Sequence, residues 1–170
     1  MNTNWLTPRQ INFTPDPNNT NTVWTDILKD SVNLIFPIQT KKNVRRISLH
    51  DIATTTVLSD PLVLSGFSFP TYNTLVGMQI AVNVRRNSRV TDYVLQPFLG
   101  STVYNNLATA NGNAPNQLIY GSPTELWGMP NTINLSDSTF GIYYQVGPHP
   151  LYPGSDEAII DRVQVQIFYQ

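Results

Sequence analysis

The sequence predicts an all-β protein, an antiparallel jelly-roll-like β-sandwich of about eight strands with an extended N-terminal arm. Two alternating segments and the punctuation between them carry this prediction. In residues 159–169, Ile159, Val163, Val165, Ile167 and Tyr169 share one face, while Arg162, Gln164 and Gln166 share the other. This is the period of a half-buried antiparallel strand. In residues 76–85, Val76, Met78, Ile80, Val82 and Val84 stand opposite Gln79, Ala81, Asn83 and Arg85. Turn-forming residues separate such segments at the spacing of a multi-stranded sandwich. A body of this kind offers its loops and outer faces, rather than a cleft, for function.

Residues 1–22 hold Pro8, Pro15 and Pro17 among Asn and Thr, with Trp5, Ile11 and Phe13 as isolated apolar residues. Such a stretch cannot build a core alone and reads as an arm, so Trp5, Ile11 and Phe13 need a partner surface, either the body of the same subunit or a neighbour. Residues 23–170 form a single sandwich domain. Thr25 is placed to cap a short helix over 26–29. Beyond it the pattern is β throughout. Strands are expected over 32–36 and 44–53, joined by a turn at Lys41, Lys42 and Asn43, and an edge strand over 62–69 lies between Pro61 and Pro70. Residues 76–85 and 90–98 are expected to form a hairpin that turns at Arg86, Asn87 and Ser88. The Asn-, Ala- and Thr-rich stretch 100–115 reads as a long loop with one helical turn at 103–107. Residues 117–120, 126–127, 140–146 and 159–169 complete the strands, and no internal repeat is visible.

At 170 residues the chain fits one domain with a sizeable core. Only 12% of it is charged, against about a quarter in ordinary soluble domains, and Asn, Thr, Ser and Gln fill the difference. Neutral polar groups lose less hydration free energy than ions when covered, so such a surface suits subunit packing or sugar binding. Ten Lys and Arg against eleven Asp and Glu give no global field, and no nucleic-acid partner is expected. The absence of Cys excludes disulfides, thiolate metal sites and Cys nucleophiles. No apolar run approaches a membrane span, and residues 1–10 lack the order of a signal peptide. Neither a membrane partner nor a signal-directed export route is expected. Sequons at Asn12, Asn18 and Asn134 arise readily in an Asn- and Thr-rich chain and carry no weight.

Four phrases stand in order: V-G-M-Q-I-A-V-N-V-R-R-N-S-R-V-T-D-Y-V-L-Q, Y-G-S-P-T-E-L-W-G, S-T-F-G-I-Y-Y-Q-V and I-D-R-V-Q-V-Q-I-F-Y. Together they resemble a β-sandwich module of tailed-phage virion proteins, in which a hairpin I-x-G-I-x-V-x-V-x-R-R is followed by Y-G-x-x-x-D-L-W-G, N-F-G-V and V-D-Y-V-x-I-x-V-Y-Y. The likeness covers residues 62–169. Glu125 stands where that module has Asp, and residues 147–156 lengthen the last hairpin with Pro148, Pro150 and Pro153. The resemblance implies a virion structural protein without assigning it to capsid, vertex or tail.

The chemistry in the residues is sparse. The two histidines, His50 and His149, have no ligand set at metal spacing, and His50 and Asp51 point to opposite faces of a strand. Asp156, Glu157 and Asp161 lack the spacing of a calcium loop. Asp92, Glu125, Glu157 and Asp161 show no arrangement that sets two carboxylates for glycoside cleavage. No nucleophile elbow or phosphate-cradling loop occurs. No catalytic residue, metal or cofactor is therefore expected. Arg45-Arg46 and Arg85-Arg86 read as fold-holding ion pairs to a carboxylate such as Asp92 or Glu125. Trp127 reads as core packing with its indole N–H on a backbone carbonyl, rather than as a sugar platform. Tyr143 and Phe168 fall on outer faces by alternation and point to a partner surface.

The expected function is a non-enzymatic capsid decoration or cement protein on the exterior of the virion, made in the host cytoplasm. Its partners would be the major capsid protein, bound through Trp5, Ile11 and Phe13, and further copies of itself, expected as a trimer. The alternative is a tail or fibre-tip module that binds a host glycan through loops near 105–116 and 147–155, with Asn111, Asn113, His149 and Tyr152 as the ligand residues.

Overall fold

The computed structural model describes residues 1–13, 24–25, 45–49, 61–86, 90–109, 117–148 and 156–170. Among them are ten strands and no helix: β1 (Gln10–Phe13), β2 (Trp24–Thr25), β3 (Arg45–Leu49), β4 (Leu62–Ser65), β5 (Leu75–Arg86), β6 (Val90–Leu99), β7 (Thr102–Val103), β8 (Gln117–Ser122), β9 (Phe140–Pro148) and β10 (Asp156–Tyr169). They form two five-stranded antiparallel sheets, ordered β1-β4-β9-β6-β7 and β2-β3-β10-β5-β8.

Alternation builds the core. Leu62 and Leu64 of β4, Leu95 of β6 and Ile142, Tyr144 and Val146 of β9 face Met78, Ile80 and Val82 of β5 and Val163, Val165 and Ile167 of β10 in a single buried cluster. Each residue of this size contributes about 1.5–3 kcal/mol on burial. The longest pairing, between β5 and β10, aligns Val163 with Val82, Val165 with Ile80 and Ile167 with Met78, so both strands turn their apolar rows inward together.

Three register shifts change which residues share a face, one of them between Phe168 and Tyr169, where Tyr169 comes opposite Leu75 rather than Val76. In β10 the register slips between Ile160 and Arg162, so Ile160, rather than Ile159, pairs with Val84 and lies in line with Val163 opposite Val82. The unbroken alternation expected over 159–169 is corrected at that point. In β6 the register slips between Asp92 and Val94, so Asp92 opposite Val146 and Leu95 opposite Tyr144 both belong to the inward row. A regular strand would have sent Asp92 outward.

Thr25 does not cap a helix: with Trp24 it pairs to Arg46 and Ile47 of β3, as suits a β-branched and an aromatic residue. The turn expected at 103–107 is not helical. Thr102–Val103 pairs with β6, and the Asn106 side chain then stands in for a strand, its Oδ1 accepting from the amides of Leu95 and Ala108 and its Nδ2 donating to the Tyr93 carbonyl. Residues 126–127 form a turn rather than a strand, because Trp127 has a φ of 58°. The strands expected over 32–36 and at 50–53 lie outside the described residues.

The described part of the N-terminal stretch lies on its own domain. Leu6 exchanges backbone hydrogen bonds with Val165, Met1 with Tyr169, and the Thr3 amide donates to Ile167. The segment then crosses to the other sheet, where the Arg9 amide donates to Ser65 and β1 pairs residue for residue with β4. Unpaired strand edges attract any chain that supplies backbone donors and acceptors, and residues 1–13 cover one edge of each sheet.

Candidate functional site

The strand ends divide the connections between two ends of the molecule. Residues 66–74 and 123–139 leave from one end. The strand termini Leu49, Arg86, Val90, Gln117, Pro148 and Asp156 mark the other. The first end is fully described, and its long connection is held by what the Y-G-S-P-T-E-L-W-G phrase supplies.

Trp127 is fully buried, and its Nε1 donates to the Met78 carbonyl at 2.8 Å. The Trp127 amide donates to Glu125 Oε1 at 2.7 Å, and the Glu125 carbonyl accepts from the Met78 amide at 2.9 Å. The longer Glu, where the resembling module has Asp, therefore still closes the turn. Gly121 has a φ of 79°, and a Cβ there would stand 2.3 Å from the Met78 oxygen. A Cβ on Gly77 would stand 2.3 Å from the Pro123 oxygen. The glycines and the tryptophan of these phrases thus serve close backbone approach.

Beyond this anchor, Met129, Ile133 and Leu135 are buried in turn, so the connection runs along the core edge while the residues between face outward. Tyr72 fastens it to the other loop: its hydroxyl donates to the Ile133 carbonyl at 2.6 Å and accepts from the Leu135 amide at 3.0 Å. Burial pushes the Tyr72 hydroxyl above the usual phenol range, and the Leu135 amide opposes this in part. Between the loops lies a cleft of about 360 Å³ lined by Pro70, Thr71, Tyr72, Asn73, Thr132, Ile133, Asn134 and Ser136. Among the described residues its groups are hydroxyls, amides and short apolar patches, without a charged side chain. Asp137 beside it accepts at Oδ1 from both the amide and the hydroxyl of Thr139, which holds its carboxyl below the usual range. The cleft can hold a ligand by hydrogen bonds, and its lining supplies no nucleophile with an adjacent base.

A second polar centre lies inside the core. Asp92, turned inward by the β6 bulge, accepts from the hydroxyls of Tyr120 and Tyr144 at 2.5 Å each. Tyr120 is on β8 and Tyr144 on β9, so one carboxylate ties the two sheets. The neighbouring Thr91 hydroxyl is buried without a partner.

Of the residues read as binding, Trp5 is half-buried and Ile11 and Phe13 belong to β1. Tyr143 and Phe168 stand on outer faces, each half-buried, with Tyr143 stacked on Phe98 at 4.2 Å. Asn111, Asn113, His149 and Tyr152, like His50, lie outside the described residues. The side chains of Arg45, Arg46, Arg85 and Arg86 are likewise outside, so their ion pairs are not described. Among the described residues no three of His, Asp and Glu gather in a metal-binding group. The cleft escaped sequence reasoning because its walls are some sixty residues apart in the chain, joined by a tyrosine that carries no motif.

Comparison with protein-family models, with curated proteins and with solved structures finds no match.

Proposed function

We propose that the chain is a non-enzymatic structural protein of a tailed-phage virion, a decoration or cement protein seated on the outer capsid surface. The observation that carries this reading is where the resembling phrases fall. They are β5 with β6, β8 with its following turn, β9 and β10, and their distinctive residues, Gly77, Gly121, Trp127 and Gly141, all make close packing contacts. A signature made of packing residues marks a scaffold rather than a reaction centre. The sheet orders support the jelly-roll assignment: β3-β10-β5-β8 opposite β4-β9-β6-β7, with the chain changing sheet between β3 and β4, β4 and β5, β5 and β6, and again from β7 to β10.

Attachment would use the N-terminal segment together with the neutral outer faces, across several capsid subunits and as a homotrimer. The bonding of residues 1–6 supports this, since it engages backbone edges rather than a dedicated pocket, and the same strand chemistry can serve a neighbour's edge. Electron cryo-microscopy of particles carrying the protein tests the proposal. Density on the outer shell, lost when residues 1–22 are deleted, is expected. Density confined to the tail overturns the capsid assignment and favours the second reading, a carbohydrate-recognising tail or fibre-tip module, for which the uncharged cleft speaks.

A further inference from the structure

We propose that the cleft between residues 70–73 and 132–136 is a binding site for one neutral pyranose unit of a glycan. The proposal stands on the cleft alone and is independent of where on a particle the chain sits.

The open hydrogen-bonding capacity of the walls points to this ligand. Among the described residues, no hydrogen bond engages the hydroxyls of Thr71, Thr132 and Ser136 or the side-chain amide of Asn73. Asn134 spends its Oδ1 on the Ser136 amide and keeps its NH₂ group for a ligand. Donors and acceptors of this kind match the vicinal hydroxyls of a sugar, each of which both gives and takes a bond. Pro70, Ile133 and the Tyr72 ring supply the apolar contact that a sugar's C–H face needs.

Charge decides against other small ligands. Among the described residues, no cationic side chain lines the cleft to hold a phosphate or carboxylate, and no anionic one lines it to hold an amine. The nearest carboxylate in the same connection, Asp137, is turned onto Thr139. A volume of about 360 Å³ is at the small end of ligand pockets and suits a single ring rather than a long chain.

The walls are also fixed before a ligand arrives. Tyr72 bridges them, the Asn73 and Thr74 amides donate to the Gln170 oxygen at 2.9 and 3.0 Å, and the Leu75 amide donates to Asn131 at 2.8 Å. A ligand entering such a site spends little free energy on ordering the protein.

The test is a protein-observed NMR titration of the full chain. The probes are the methyl glycosides of glucose, galactose, mannose and N-acetylglucosamine, with glucosamine and sialic acid as charged comparisons. At least one neutral probe is expected to shift the amides of Thr71, Asn73, Thr132 and Ser136 saturably, with a Kd of about 1–10 mM. Asn73→Ala and Thr132→Trp change exposed residues and are expected to keep the melting temperature while weakening that binding about tenfold or more. Should Thr132→Trp disturb the fold, Asn73→Ala decides alone. No saturable shift with any neutral probe, shifts centred elsewhere, a preference for a charged sugar, or unchanged affinity in Asn73→Ala each overturns the proposal.

Discussion

The indole of Trp127 reaches from a surface turn into the core and closes on the Met78 carbonyl at 2.8 Å, while the Met78 amide is held by Glu125. Both backbone groups of one β5 residue are thus satisfied by a connection that begins some forty-five residues later. Trp127→Phe removes the indole hydrogen bond from the buried Met78 oxygen, which costs about 1–3 kcal/mol. Trp127→Ala adds a cavity and costs about 3–5 kcal/mol. Urea denaturation followed by far-ultraviolet circular dichroism is expected to rank them in that order, and equal losses would show that the hydrogen bond carries nothing beyond shape.

Gly77 and Gly100 separate close approach from backbone conformation. A Cβ on Gly77 meets the Pro123 backbone at 2.3 Å, with no flexible side chain to yield. On Gly100 the nearest atom is 3.9 Å away, and only the φ of 58° opposes a side chain. Gly100→Ala is expected to cost about 1–2 kcal/mol. Gly77→Ala is expected to cost more than about 3 kcal/mol, since it must move β5 away from the turn or leave the chain unfolded. Melting temperatures of the two variants check this, and a mild effect at Gly77 would show that the turn shifts freely.

How far the sequence reveals such features depends on their span. The apolar rows of β5 and β10 were readable because a two-residue period is local. The bulges were not: one extra residue reverses the facing of everything beyond it, and nothing in T-D-Y-V announces that Asp92 turns inward. The Trp127 hydrogen bond was legible because an indole needs both burial and an acceptor. The cleft was not, because it exists only once two distant loops meet. The pairing of the N-terminal segment was not legible for the same reason. Its scattered apolar residues build no core alone, but its backbone completes two sheets.

Asp92 accepts from the hydroxyls of Tyr120 and Tyr144 in the core. Tyr120→Phe and Tyr144→Phe each remove one bond to a carboxylate, at a cost of about 1.5–3 kcal/mol. The double variant leaves that carboxylate without either hydroxyl, and its loss is expected to exceed the sum of the single losses, because the remaining hydroxyl shields the charge in each single variant. A double-mutant cycle by chemical denaturation measures the coupling. Strict additivity would show that the two hydroxyls act independently.

Tyr72 sets an alkaline limit on the clamp between the two loops of the cleft. Burial raises its hydroxyl pKa above the unfolded value near 10. The native state therefore holds this proton more tightly than the unfolded state does. The contribution is fully present below the unfolded pKa and is lost as pH rises through the raised native value. A phenolate also cannot donate to the Ile133 carbonyl. Stability is expected to fall in a window above pH 10 in the wild type, with a smaller decline in Tyr72→Phe, as read from denaturation midpoints at stepped pH. Parallel declines would assign the alkaline loss to other tyrosines.

The N-terminal segment protects a sheet edge as well as adding bonds. Along β10, Met1 and Tyr169 exchange bonds, as do Leu6 and Val165, the Thr3 hydroxyl accepts from the Ile167 amide, and Gln166 Nε2 donates to the Thr3 carbonyl. Deleting residues 1–6 leaves those backbone groups facing water, so the bonding loss is modest, about 2 kcal/mol after the entropy of ordering six residues is set against it. The larger consequence is an open strand whose outward row over 164–168 carries no charge to repel another copy. The truncated chain is expected to self-associate at concentrations where the full chain does not, as light scattering coupled to size exclusion would show. Thr3→Val is the control: it removes one side-chain acceptor, keeps the edge covered, and is expected to lose about 1 kcal/mol without any change in mass. Self-association of Thr3→Val, or an unchanged mass in the truncated chain, would mean that edge protection is not what residues 1–6 supply.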